Sequence, residues 1–324
     1  MKLISTLMTT AAVTLAFAAA SPAFAQECQR GTLDTRFCDV DGDLLADIPT
    51  DPTQLVDPDT LIFAYTPVED PAVYAEAWTD FLTHLEAETG KDIVFFPVQS
   101  NAAQIEAMRS GRLHIAGFNT GSNPLAVNCA GFRPFTIMAA LDGSFGYEME
   151  IITYPDSGIT SPADIKGKQL AFTSPTSNSG FKAPSALLES EFGLKADTDF
   201  EPVFSGKHDN SILGVANKDY AAAAIANSVM KRMIERDVVQ PEQIVSIYTS
   251  QTFPTTGYGT ANNLTPELQD KIRNAFFNFE WEGSSLKAEF EKGGEGQFIE
   301  ITYKDAWNVI RQIDAATGVS YACE

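Results

Sequence analysis

Thr173-Ser-Pro-Thr-Ser-Asn-Ser-Gly-Phe-Lys-Ala-Pro184 is the stretch on which the fold turns. Before it, residues 168–172 read as a buried strand. After it, residues 184–192 carry the pattern of a helix. Between them lie five Ser or Thr hydroxyls, an Asn and a Gly. A strand that turns through small polar residues into a helix leaves backbone N–H groups without partners. Those donors, the hydroxyls and the positive end of the helix dipole converge on one spot. That spot suits a tetrahedral oxyanion and needs no lysine. The same residues also fit an ordinary Ser-capped helix.

On either side the chain repeats the strand–helix unit. Residues 61–65, 93–98 and 114–118 read as short buried strands, alternating with helices over 73–89 and 102–109. A strand over 148–154 opens a second series: strands 168–172, 200–204, 221–226 and 244–249, helices 184–192, 209–218 and 228–236. The alternation predicts parallel sheets covered on both faces. Helices over 265–279 and 304–316 have no sheet of their own and should return to the first unit. The reading is an α/β protein of two lobes, the second inserted into the first. It divides the chain into lobe 1 at 60–152 and 253–324, and lobe 2 at 153–252. Two crossings near residues 150 and 250 make a hinge, and the cleft between the lobes would enclose a small ligand.

The N-terminus reads as a secretory signal. Met1-Lys2 is basic, residues 7–20 are apolar, and Ser21-Pro-Ala-Phe-Ala25 ends in small-x-small, so cleavage is expected near Ala25. Cys28 does not directly follow that site, so a soluble exported protein is expected rather than a lipid-anchored one. The remaining chain, about 300 residues, suffices for two cores. A net charge of −21 argues against nucleic acid and anionic membranes as partners. Four cysteines suit an oxidising compartment. Three pairings are possible; proximity favours Cys28 with Cys38 and Cys129 with Cys323. Residues 26–59 read as an extended acidic arm. Within it, Asp39, Asp41, Asp43 and Asp47 resemble a calcium loop of the D-x-D-x-D type. Leu44 stands where that loop has Gly, and Thr50 where it has Glu. A solvated acidic turn explains the run as well, and no metal is expected.

From residue 61 onward the chain resembles the periplasmic substrate-binding proteins of phosphonate, phosphite and phosphate ABC transporters. The resemblance rests on four ordered stretches. These are Ile105-Glu-Ala-Met-Arg-Ser-Gly-Arg-Leu-His-Ile-Ala-Gly117, Ser157-Gly-Ile-Thr-Ser-Pro-Ala-Asp-Ile-Lys-Gly-Lys168, Ser177-Asn-Ser-Gly-Phe181 with Pro184, and Gly206-Lys-His-Asp-Asn210. It implies a type II periplasmic-binding-protein fold, two Rossmann-like lobes joined by a two-strand hinge. It also implies a phosphorus oxyanion in the cleft and a membrane-embedded permease as partner. Ser177, Asn178 and Ser179 would hold the oxygens, with His208 as a donor and Asp209 near the ligand's substituent. No cofactor and no oligomer are expected.

The chain departs from the family pattern at three places. Ser100-Asn101 replaces a Tyr, Asn227-Ser228 replaces an Asp, and Asn119-Thr120 follows the third strand where an aromatic is sometimes found. The aromatic at Tyr147 is kept. Amides in place of carboxylates disfavour a ligand ammonium, so a small anion is expected over 2-aminoethylphosphonate. Tyr65, Asn119, Thr173 and Asn227 end strands, where α/β sheets place ligands. The binding set is therefore Tyr65, Asn101, Asn119, Thr120, Tyr147, Ser177, Asn178, Ser179, His208, Asp209 and Asn227.

The three histidines, His84, His114 and His208, lack zinc-ligand spacing. Neither a nucleophile elbow nor a phosphate-binding P-loop occurs. Gly293-Gly-Glu-Gly296 lacks the spacing of a dinucleotide fingerprint. A hydrolase built from Ser177 or Ser179 with His208 and Asp209 is the enzymatic alternative; an adjacent His-Asp pair is poorly placed for a triad. The third reading is a periplasmic sensor for a receptor.

Overall fold

A computed structural model describes residues 28–323; the expected signal peptide and its cleavage near Ala25 lie outside the described residues. The chain first forms β1 (Thr60–Tyr65), α1 (Pro71–Ala77), α2 (Thr79–Thr89), β2 (Asp92–Phe95), α3 (Asn101–Arg109), β3 (Ile115–Phe118), α4 (Asn123–Ala130) and β4 (Phe132–Ala139). It crosses into β5 (Tyr147–Thr153), β6 (Gln169–Phe172), α5 (Ala183–Phe192), β7 (Glu201–Phe204), α6 (His208–Ala216), β8 (Ala222–Ala226), α7 (Asn227–Glu235) and β9 (Val245–Phe253). It returns through β10 (Gly257–Ala261), α8 (Pro266–Phe277), α9 (Ser285–Phe290), β11 (Gln297–Glu300), α10 (Tyr303–Ala306) and α11 (Asn308–Ala316).

Two sheets result. One has six strands in the order β11-β4-β10-β3-β1-β2, the other five in the order β7-β6-β8-β5-β9. The fold is α/β and two-lobed. The central strands β3 and β8 are buried along their whole length, as strands covered on both faces must be. The first lobe packs on an aromatic cluster in which Trp78, Phe81, Tyr258 and Phe276 are buried.

The sheets differ from the parallel expectation. β10 runs antiparallel to β3 and β4, and β5 runs antiparallel to β8 and β9. Each of these strands begins where the chain arrives from the other lobe. It enters at the cleft end of its sheet, where β1, β3, β6 and β8 finish, and so must run the other way. The division expected at residue 152 falls inside β5, which pairs with β8 and β9 throughout. The chain passes between the sheets in 140–146 and returns in 254–256.

α8 covers the first lobe, its Phe276 ring 4.6 Å from Phe81. α11 reaches across instead: Asp314 pairs with Lys182 at 3.0 Å, beneath the Ser/Thr turn of the second lobe. Disulfides join Cys28 to Cys38 and Cys129 to Cys323. The arm lies against the first lobe rather than extending from it. Leu33, Leu45 and Ala46 are buried, and Val56 bridges to Leu264.

Candidate functional site

β6 ends at Phe172, and the turn that follows does what its composition predicts. Ser177 caps a π-helical turn, Asn178–Lys182, which runs straight into α5. Its Oγ accepts the Gly180 N–H at 3.0 Å. The capped-helix reading is therefore correct for the Ser177 side chain. The backbone N–H groups of Asn178 and Ser179 nevertheless have no partner among the described residues. Neither does the Ser179 hydroxyl. A second helix start faces them. α4 begins after Thr120-Gly121-Ser122, and the N–H groups of Thr120 and Gly121 are likewise unpartnered among the described residues. Gly121 makes the approach possible. A Cβ there would lie 2.2 Å from the Thr176 carbonyl oxygen and 2.5 Å from the Asn178 nitrogen.

Between the two starts lies a cavity of about 50 Å³. At roughly 10–15 Å³ for each water-sized group, it holds about four, the size of a tetrahedral oxyanion with a small substituent. Of the residues expected from the sequence, Tyr65, Asn119, Thr120, Tyr147, Ser177, Asn178, Ser179 and His208 line it. Tyr65 is fixed by ring contacts to Tyr74 and Tyr258 at 4.5 and 6.3 Å, and burial pushes its hydroxyl up to about 12. It stays a neutral donor.

His208 begins α6. Its Nδ1 accepts the Ala226 N–H at 3.1 Å, so the proton of the neutral ring sits on Nε2. Nε2 lies 3.5 Å from the Ser177 Oγ. Burial, with the Arg232 charge adding to it, pulls the ring down to about 3. His208 is thus a fixed neutral donor. It is also a poor base for Ser177, because its acceptor nitrogen faces away.

Three predicted residues do other work. Asp209 is not at the cavity wall: its carboxylate accepts the Asp70 N–H at 3.1 Å and the Asn210 N–H at 2.8 Å. One residue beyond His208 on a helix points about 100° away. Asn227 is held by Glu148, through the Glu148 N–H at 3.1 Å and a close contact to its carboxylate. Asn101 lines a neighbouring cavity of about 270 Å³. Its amide donates to Thr176 across the cleft at 2.8 Å and its carbonyl accepts from Asn119 at 2.9 Å. Within the set at the wall, the Thr120 hydroxyl is committed to the Pro254 carbonyl at 2.7 Å.

Two charged residues at the wall are absent from the sequence-derived set, Arg232 and Glu295. Arg232 shares the buried face of α7 with Val229 and Met233. It sits 3.7 Å from Glu69 and 3.9 Å from Glu289, and donates to the Tyr74 hydroxyl at 3.3 Å. An arginine three residues from Val229, on the apolar side of a helix, was the available signal. Glu295 lies in the Gly-rich turn before β11. Its Oε2 is buried without a partner among the described residues. Burial raises its carboxyl above the ordinary value, against the pull of Arg232.

Comparisons with known proteins agree with this architecture. A profile of the family described as "ABC transporter, phosphonate, periplasmic substrate-binding protein" matches residues 63–306. The phosphate-import protein PhnD of Mycolicibacterium smegmatis is 29% identical over 280 residues, spanning 82% of this chain and 86% of that protein. A binding protein component of an ABC phosphonate transporter from Pseudomonas aeruginosa superposes with a TM-score of 0.72 at 24% identity, over 83% of this chain and 90% of that one. PhnD1 from Prochlorococcus marinus, solved with methylphosphonate, gives 0.69 at 16%, over 81% and 100%. These two structures share the fold.

Proposed function

We propose that this chain, which belongs to the periplasmic substrate-binding proteins of phosphonate ABC transporters, captures one small phosphorus oxyanion between its lobes for delivery to a membrane permease. The observation that carries the reading is the meeting of two helix starts, at Thr120-Gly121 and Asn178-Ser179, across a cavity of about 50 Å³. Their free N–H groups, the Ser179 and Tyr65 hydroxyls and the His208 Nε2–H supply neutral donors for the oxygens, and Arg232 adds the positive charge. Glu295, at the wall where Asp209 is not, accepts a hydrogen bond from a P–OH. An unprotonated Glu295 would repel a bare dianion. The small cavity and the engaged Asn101 and Asn227 favour phosphate, phosphite or methylphosphonate over 2-aminoethylphosphonate. The protonated Nε2 of His208 supports capture rather than hydrolysis, since Ser177 has no base to activate it.

Calorimetry with these four anions tests the reading. One of the three small anions should bind most tightly. Each hydrogen bond to a charged acceptor contributes roughly 1.5–3 kcal/mol, so Ser179→Ala should weaken binding about tenfold or more. Tightest binding of 2-aminoethylphosphonate, or no effect of Ser179→Ala, would reject this site.

A further inference from the structure

We propose that the N-terminal arm carries a calcium site at Asp39, Asp41 and Asp43. One carboxylate oxygen from each lies within 4.8 Å of the other two. Asp39 is only 7% exposed. Its Oδ2 accepts the Leu44 N–H at 3.2 Å, but its Oδ1 is buried with no partner among the described residues. A buried carboxylate oxygen without a donor is costly. The neighbouring cations do not relieve it. Lys304 donates to the Gly42 carbonyl at 3.0 Å, and Arg133 donates to the Ala46 carbonyl. A hard divalent cation among the three carboxylates satisfies the orphaned oxygen.

The spacing matches positions 1, 3 and 5 of a twelve-residue calcium loop. Position 6 of such a loop makes a sharp turn that normally requires Gly. Leu44 stands there and holds a φ of 71°, so the turn is made without the glycine. Leu45 and Asp47 fall at positions 7 and 9, where a carbonyl and a further oxygen are used. Thr50 replaces the bidentate Glu of position 12, which removes two oxygens and places the affinity at the weak end, roughly 10⁻⁴–10⁻³ M. Ca²⁺ accepts such an irregular shell, whereas Mg²⁺ demands near-octahedral geometry. The loop is fastened on both sides, by the Cys28–Cys38 disulfide and by Asn262, which donates to the Asp47 carbonyl at 3.0 Å. Bound calcium would therefore stiffen a loop that Asn262 already ties to the first lobe.

The test uses the protein stripped of metal with a chelator, melted against CaCl₂ or MgCl₂ and titrated with CaCl₂ by calorimetry. Calcium at roughly 0.1–1 mM should raise the melting point by a few degrees with single-site heat, and magnesium much less. The double variant Asp41→Asn, Asp43→Asn should keep the fold by circular dichroism and lose the response. Thr50→Glu should restore position 12 and tighten calcium binding tenfold or more. Absence of heat and of any melting shift up to about 10 mM calcium would overturn the proposal. So would an unchanged response in the double variant.

Discussion

At His208 one backbone hydrogen bond decides the chemistry. The Ala226 N–H occupies Nδ1, and burial keeps the ring neutral down to about 3. In the unfolded chain the ring takes a proton near pH 6.5. Between these values the unfolded state binds a proton that the native state refuses, so stability is lost as pH falls from 6.5. The loss is about 3 kcal/mol by pH 4. His208→Gln retains an acceptor and a donor but cannot titrate. Urea midpoints of the variant should fall less steeply between pH 6.5 and 4 than those of the wild type. Parallel profiles would show that the ring is not buried neutral. Ser177, Ser179 and His208 were legible because strand, turn and helix start are adjacent in the chain. Arg232 and Glu295 were not, because α7 and the turn before β11 reach the cavity only through tertiary packing. Asp209 was misplaced by a single step around a helix.

The elements show a similar division. β1, β3, β6 and β8 were legible as apolar runs. β4 and β10 were not, since one contains Pro134 and the other two glycines, residues depleted in strands. The structure explains both. Pro134 lies opposite Gly259 where the register shifts between Tyr258 and Gly259. A Cβ at Gly259 would sit 2.1 Å from the Arg133 carbonyl oxygen. The expected helix over 73–89 is broken at Trp78, which is buried against Phe63 at 4.7 Å. At the other end of the chain, α11 supports the Ser/Thr turn. Lys182 pairs with Asp314 at 3.0 Å and donates to the Gly121 carbonyl at 3.0 Å; the Tyr321 hydroxyl donates to Asp314 at 2.8 Å. Removing one partner of such a buried pair costs about 3–5 kcal/mol. Asp314→Asn should lower unfolding stability by that amount and weaken anion binding. A loss below about 1 kcal/mol would match an exposed pair instead.

For the whole molecule, function depends on how the lobes meet. The His208 N–H donates to the Val68 carbonyl at 3.1 Å, Asn101 reaches Thr176, and Arg236 pairs with Glu69 and Glu289. These contacts join one lobe to the other, so they enter the free-energy difference between open and closed arrangements on which a ligand acts. Gly121→Ala places a methyl group against the Thr176 carbonyl and the Asn178 nitrogen. It should hold the lobes apart, enlarge the radius of gyration in solution scattering, and weaken anion binding at least tenfold, or about 1.4 kcal/mol, with the melting point nearly unchanged. Unaltered scattering and affinity would mean that the lobes meet elsewhere. The pairing of Lys182 with Asp314 spans 132 residues, which fixes an order of events during synthesis. The ribosome releases Lys182 and the Ser/Thr turn long before Asp314, and Cys323 follows later still. Every strand of both sheets has been made by Glu300. A chain cut short after β11 would therefore contain both sheets while the Ser/Thr turn above Lys182 lacked the Asp314 carboxylate that pairs with it.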